Sequence, residues 1–155
     1  MNNEYFAASR REIPISLDAG TVPAVGSGHA VWVSNVRGYS TGVALDLTVV
    51  ISPKLSADLG VPYPVFGNDV PEDDGPGTIA VAAETSDHTY TAATGSLVCL
   101  GARASDLMAL ATYWIPGHPT SLVIRVDWPT ANLAAALSLT TEGWGQAVGT
   151  ITHLW

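Results

Sequence analysis

From Val43 to Ile51 the chain alternates: Val43, Leu45, Leu47, Val49 and Ile51 are large aliphatics, with Asp46 and Thr48 between them. Side chains of an extended strand point alternately to opposite faces. This period of two therefore predicts a strand with one core-facing side and one wetter side. Leu122, Ile124, Val126 and Trp128 repeat the pattern with Arg125 and Asp127 turned away. Ile13, Ile15 and Leu17 are a shorter copy, and Ile79, Val81 and Ala83 a weaker one, as are Leu133, Ala135, Leu137 and Leu139. Leu107 to Ile115 is apolar on both faces, as a doubly buried strand or a short helix would be; its Thr112-Tyr113-Trp114-Ile115 end favours strand. Trp144, Val148, Ile151 and Trp155 recur at helical spacing and predict a short C-terminal helix. Gly145 and Gly149 weaken that helix by about 1 kcal/mol each relative to alanine.

Breakers separate these runs. Pro23, Gly26 and Gly28 interrupt the chain after Gly20, Gly38 to Gly42 reads as a short turn, and Pro116-Gly117-His118-Pro119 joins two strands. The long connection from Ser52 to Gly77 is rich in proline and glycine, and such a loop is a natural place for a site. Short alternating strands divided by such turns predict an all-β fold. The expected form is an antiparallel two-sheet β-sandwich, jelly-roll-like, of about 7–9 strands with a short C-terminal helix. Residues 1–11 read as a flexible polar lead-in and 12–155 as one domain, long enough to bury a core without disulfides or a metal.

Composition adds a second layer. The chain is 47% hydrophobic with mean hydropathy +0.25, yet only 13% charged, against about 25% in ordinary domains. Either Ser, Thr, Gly and Ala supply much of its surface, or part of that surface is covered by another chain, as in a homo-oligomer or a complex with a protein partner. The net charge is −8, and no Lys or Arg occurs from Leu55 to Ala102. An acidic field of this kind disfavours nucleic acid and anionic membrane surfaces as partners. No run approaches the roughly 18 apolar residues of a membrane span. Met1 to Phe6 lacks the basic and apolar regions of a signal peptide, so a cytoplasmic location is expected. Cys99 is the sole cysteine, in the apolar run Leu97-Val98-Cys99-Leu100, and reads as a small buried hydrophobe. A reactive thiolate needs electropositive neighbours, and the nearest cation along the chain is Arg103.

Four patterns bear on chemistry. Gly38-Tyr39-Ser40-Thr41-Gly42 matches G-x-S-x-G, the turn that presents a serine-hydrolase nucleophile between a strand and a helix. Here a strand follows, so the segment reads instead as a hairpin turn whose glycines supply positive φ. Gly26-Ser27-Gly28 starts a dinucleotide-like pattern, but it too runs into a strand. In the acidic run 68–75, Asp69, Glu72, Asp73 and Asp74 are candidate calcium ligands; their spacing is not that of an EF-hand. The four histidines show no zinc spacing. Of the tryptophans, Trp128 is in phase with the core and Trp32 is ambiguous, whereas Trp114 and Trp155 are free to be exposed. Together with Tyr63 and Phe66 of the central loop, these two are the candidate interaction residues.

Tyr39-Ser40-Thr41-Gly42 before an alternating strand, Phe66-Gly67-Asn68, Trp114-Ile115-Pro116-Gly117, Trp128-Pro129 and the terminal Leu154-Trp155 resemble an uncharacterised group of small β-rich proteins common in actinobacteria. The resemblance implies a β-rich fold and no activity. Gly145 and Gly149 stand where that group has an alanine- and arginine-rich terminal helix. The leading functional expectation is a non-enzymatic structural or protein-interaction module that self-associates or docks on a protein partner through an apolar sheet face. The alternatives are a calcium- or carbohydrate-binding module using the acidic loop or exposed tryptophans, and a serine hydrolase using Ser40. No cofactor is expected beyond that calcium.

Overall fold

A computed structural model describes residues 3–67, 78–92 and 94–154. The chain opens with α1 (Asn3–Arg11), β1 (Glu12–Ile13), β2 (Ile15–Ser16) and β3 (Ala24–Gly26). A long hairpin follows, β4 (His29–Tyr39) and β5 (Gly42–Ile51), then α2 (Pro53–Leu59), β6 (Val65–Phe66), β7 (Thr78–Thr85) and β8 (Thr89–Thr91). The second half comprises β9 (Val98–Ser105), β10 (Met108–Pro116), β11 (Leu122–Trp128), β12 (Leu133–Leu139), α3 (Trp144–Val148) and β13 (Thr152–His153).

These strands form two sheets and a small ribbon. Sheet 1 runs β2-β4-β5-β10-β9, with β3 also on β4; sheet 2 runs β12-β11-β7-β6, with β8 on β7. All pairings are antiparallel except β6 with β7. The all-β, two-sheet architecture expected from the alternation is the one observed. Of the thirteen strands among the described residues, seven have seven residues or more; pieces of two or three residues carry no readable period, which is why the expected number was smaller.

The core lies between the sheets. Val43, Leu45, Leu47, Val49 and Ile51 face it from β5, and Ile79, Val81, Ile124, Val126 and Trp128 meet them from sheet 2. Full burial of such side chains contributes about 1.5–3 kcal/mol apiece. On β10 the odd positions Ala109, Ala111, Tyr113 and Ile115 join this core, and the even ones point outward. Trp114, on that outward side, is nonetheless 0% exposed because α1 covers it.

Residues 1–11 are therefore more than a lead-in. Ala8 and Tyr5 of α1 pack on Tyr39, Ala44 and Trp114, and the rings of Tyr5 and Trp114 lie 5.2 Å apart, edge to face. β1 pairs with β13, and the Leu154 N–H donates to the Arg11 carbonyl at 2.7 Å, tying the two ends of the described chain together. The C-terminal helix is shorter than its spacing suggests. It stops at Gly149, and Ile151 lies beyond it; Trp155 is outside the described residues.

The stretch after Ser52 is also more ordered than its prolines suggest. The Ser52 hydroxyl accepts from the Leu55 N–H, Pro53 occupies the first helical turn, and Gly60 closes α2 at φ 70°. Asp106 (φ 34°) and Leu107 (φ 70°) make the two-residue turn between β9 and β10 without a glycine.

Candidate functional site

The G-x-S-x-G segment is the turn between β4 and β5, as a hairpin reading requires. Its glycines serve space rather than positive φ. Neither Gly38 nor Gly42 is among the residues with positive φ. A Cβ at Gly42 would meet Trp114 Cζ2 at 2.3 Å and the Ile115 carbonyl at 2.6 Å; one at Gly38 would meet Val148 Cγ2 at 2.9 Å. Close packing by β10 and α3 thus dictates both.

Ser40 is held by Glu12, a residue the sequence reading did not single out. The Ser40 N–H donates to Glu12 Oε1 at 2.8 Å, and the Ser40 hydroxyl donates to Oε2. Glu12 is 7% exposed. His153 Nδ1 lies 3.7 Å from the same carboxylate, and His118 Nε2 is 2.9 Å from the Tyr39 carbonyl. A serine nucleophile needs a base aligned on its proton and free backbone donors for the oxyanion. Here one carboxylate takes both the hydroxyl proton and the adjacent N–H, and both imidazoles are directed elsewhere. The arrangement anchors β1, and through it β13, to the hairpin turn. Beside it an open cleft of about 800 Å³ is lined by His118, Thr120, Thr141, Glu142 and Gln146. Threonine hydroxyls, the Glu142 carboxylate and the Gln146 amide give it polar groups, and none of its described lining residues is Phe, Tyr or Trp.

The outer face of sheet 1 has a different chemistry. Strand register sets Val25, Ala30, Val50, Met108 and Ser105 in one row across the sheet, and Trp32, Thr48, Leu110 and Arg103 in the next. Val25 is 76% exposed and Met108 36%, while Trp32, Val50 and Leu110 are half-buried. A third row is polar. Asp46 accepts from Thr112 Oγ1 at 2.7 Å and Asn35 Nδ2 at 3.1 Å, and Arg37 stands 3.6 Å away. Where this row meets Gly101, a notch of about 340 Å³ opens between Asp46, Arg103, Leu110 and Thr112. Nothing lies within 4 Å of a Cβ placed on Gly101.

The outer face of sheet 2 presents small and charged residues instead. Its rows are Glu84, Val123 and Ser138; Ala82, Arg125 and Ala136; and Ala80, Asp127 and Ala134, with Arg125 paired to Glu84. That is an ordinary solvated surface. Of the two outer sheet faces, sheet 1 carries more large apolar side chains, while Phe6, Ile13, Val22, Val65 and Leu154 are exposed elsewhere.

β9 closes sheet 1 and overhangs the sandwich. In register Ala102 and Ala104 stand opposite the buried Ala111 and Ala109, hence on the core side, yet residues 101–106 are all exposed. Arg103 has no ion-pair partner among the described residues. Leu100 is the extra residue of a bulge, because Gly101 pairs with Thr112 and Cys99 with Tyr113. Cys99 itself is half-buried rather than fully enclosed.

The residues singled out from sequence are scattered. Trp114 is enclosed under α1, Phe66 is 5% exposed in the core with its ring 6.2 Å from that of Tyr113, and Tyr63 is half-buried. Trp114 and Phe66 therefore offer no surface to a partner. Trp155 and the calcium candidates Asp69, Glu72, Asp73 and Asp74 lie outside the described residues. Among the described residues no three His, Cys, Asp or Glu converge on a metal-sized site, and no helix is long and apolar enough to cross a membrane. Comparison with family models, curated proteins and solved structures finds no match for this chain.

Proposed function

We propose that this chain is a non-enzymatic protein-interaction module that docks on a protein partner, or on further copies of itself, through the outer face of sheet 1. One observation carries this reading: Val25, Trp32, Val50, Met108 and Leu110 stand in two adjacent rows of one sheet face, Val25 and Met108 exposed and the other three half-buried. Contiguous exposed apolar surface of this kind marks interaction sites, and tryptophan is enriched among the residues that dominate binding. The low charge content of the chain supports the same reading, and a cytoplasmic location goes with it.

A photo-reactive amino acid at position 110 tests it, with position 136 on the opposite sheet as control. The expected result is one discrete adduct from 110 and none from 136. The partner so defined, once purified, should bind the double variant Met108→Gln/Leu110→Gln at least ~10-fold more weakly, the loss of about 1.4 kcal/mol expected when apolar contacts are removed. Equal adducts from both faces, or equal binding by the double variant, would refute the docking surface.

A carbohydrate-binding reading has one observation in its favour: the indole of Trp32 stands one row from the carboxylate and amide of Asp46 and Asn35. Stacking beside directional hydrogen-bonding groups suits a sugar. It predicts a thermal shift with an oligosaccharide panel that Trp32→Ala abolishes; no shift across the panel would end it.

A further inference from the structure

We infer that α1 is a displaceable cover on the docking face: it sits on Tyr39, Ala44 and Trp114 in the free chain and gives up that seat to the protein partner. The inference rests on the docking reading and adds how that face is regulated.

α1 holds its place with few side chains. Of residues 5–11, Ala8 alone is buried, Tyr5 and Ser9 are half-buried, and Phe6, Ala7, Arg10 and Arg11 are exposed. A helix of nine residues falls below the about 12–15 needed to persist alone in water. It therefore stays helical through what Tyr5 and Ala8 touch. The seat beneath it is imperfect. Trp114 is 0% exposed, yet its indole Nε1–H has no hydrogen-bond partner. A buried donor left unpaired favours any arrangement that gives it an acceptor. Carbonyls in the body of a helix are bonded along its own axis, so a helix lying over the indole needs a side-chain acceptor, which Ala8 lacks. Water, once α1 lifts, or a polar side chain of the partner supplies one.

The hinge is already built. Glu12, the residue after α1, is fixed by Ser40, and the Arg11 carbonyl accepts from the Leu154 N–H. α1 swings about Arg11 and leaves the core between the sheets intact, since none of its described residues belongs to that core.

Geometry makes cover and partner compete. Trp114 and Leu110 stand on the same face of β10, with the polar row of Asp46 and Thr112 between them. Four strand residues separate them by about 13 Å. A standard interface takes roughly 800 Å² per partner, a patch about 32 Å across. Centred on Leu110, such a patch reaches past Trp114 and onto the ground that α1 occupies.

Hydrogen exchange of the intact chain tests the inference, with the Trp114 indole signal assigned by its loss in Trp114→Phe. The indole N–H and the amides of Ser9 and Arg10 should exchange at least ~10-fold faster than the amides of Leu45 and Leu47, which lie on the central strand β5. Tyr5→Ala removes the ring packed edge to face on Trp114. It should speed indole exchange at least ~3-fold and tighten binding of the purified partner captured from position 110 by the same factor, because the binding-competent fraction rises by that factor. Ser52→Ala, at the other end of β5, should change neither. An indole that exchanges as slowly as the Leu45 and Leu47 amides would overturn the inference, since α1 then leaves its seat only when the chain unfolds. Equal partner binding by Tyr5→Ala and wild type would overturn it too, while the adduct from position 110 still upheld the docking reading. No adduct from position 110 would remove the docking reading and the competition with it.

Discussion

The Glu12 carboxylate accepts hydrogen bonds from both the backbone N–H and the hydroxyl of Ser40, across a separation of 28 residues. It pins the first strand to the β4–β5 turn, and β13 is paired to that same strand. A hydrogen bond to a charged group is worth about 1.5–3 kcal/mol. Ser40→Ala should lower unfolding stability by about that amount in urea titrations with an unchanged slope. A stability equal to wild type would show that this contact holds nothing together.

Gly42 and Gly101 separate the two reasons a strand carries glycine. A methyl at Gly42 collides with Trp114 and with the rigid Ile115 carbonyl, whereas one at Gly101 enters open space. Gly42→Ala should cost about 3 kcal/mol, at the upper end for overpacking. Gly101→Ala should be neutral or stabilise by about 0.5 kcal/mol, because alanine loses less backbone freedom on folding. Paired thermal melts decide it; similar melting temperatures for the two variants would contradict this geometry.

Tyr39 carries an alkaline signature. Burial pushes its hydroxyl up, the charge of Tyr5 adds to the rise, and Arg37 opposes it. Because the folded value lies above the unfolded one, this contribution is fully present below about pH 10 and is lost as pH rises through the raised value. Between about pH 9 and pH 11, around that ordinary tyrosine value, Tyr39→Phe should lose less stability than wild type. Denaturant midpoints at the two pH values measure the difference, and parallel losses would exclude it.

Ser52 caps α2 through its hydroxyl, which accepts from the Leu55 N–H at 3.1 Å. Ser52→Ala should cost about 1 kcal/mol, and Ser52→Asp should recover most of it. A melt unmoved by Ser52→Ala would mean that the proline and the glycine define this helix without the cap.

Much of the sandwich was legible along the chain. The alternation in Val43–Ile51 and Leu122–Trp128 assigns inward and outward positions correctly, because strand geometry ties parity to face through local bonds alone. The signal for α2 was also present, in Ser52, Pro53 and Gly60, but a proline-rich background masked it. The even positions Met108, Leu110 and Trp114 registered as a second apolar face on one strand. What they meet could not be read there, since that depends on elements distant in sequence.

What the sequence determined by itself is which side chains share a face and where the chain turns, both consequences of local backbone geometry. Tertiary structure decided the rest. It laid α1 over Trp114 while leaving Met108 and Leu110 of the same strand face open, brought Glu12 to Ser40, and left β9 beyond the edge of the opposing sheet. The reason is that a period records orientation within a strand, whereas burial depends on what the remainder of the molecule places against it.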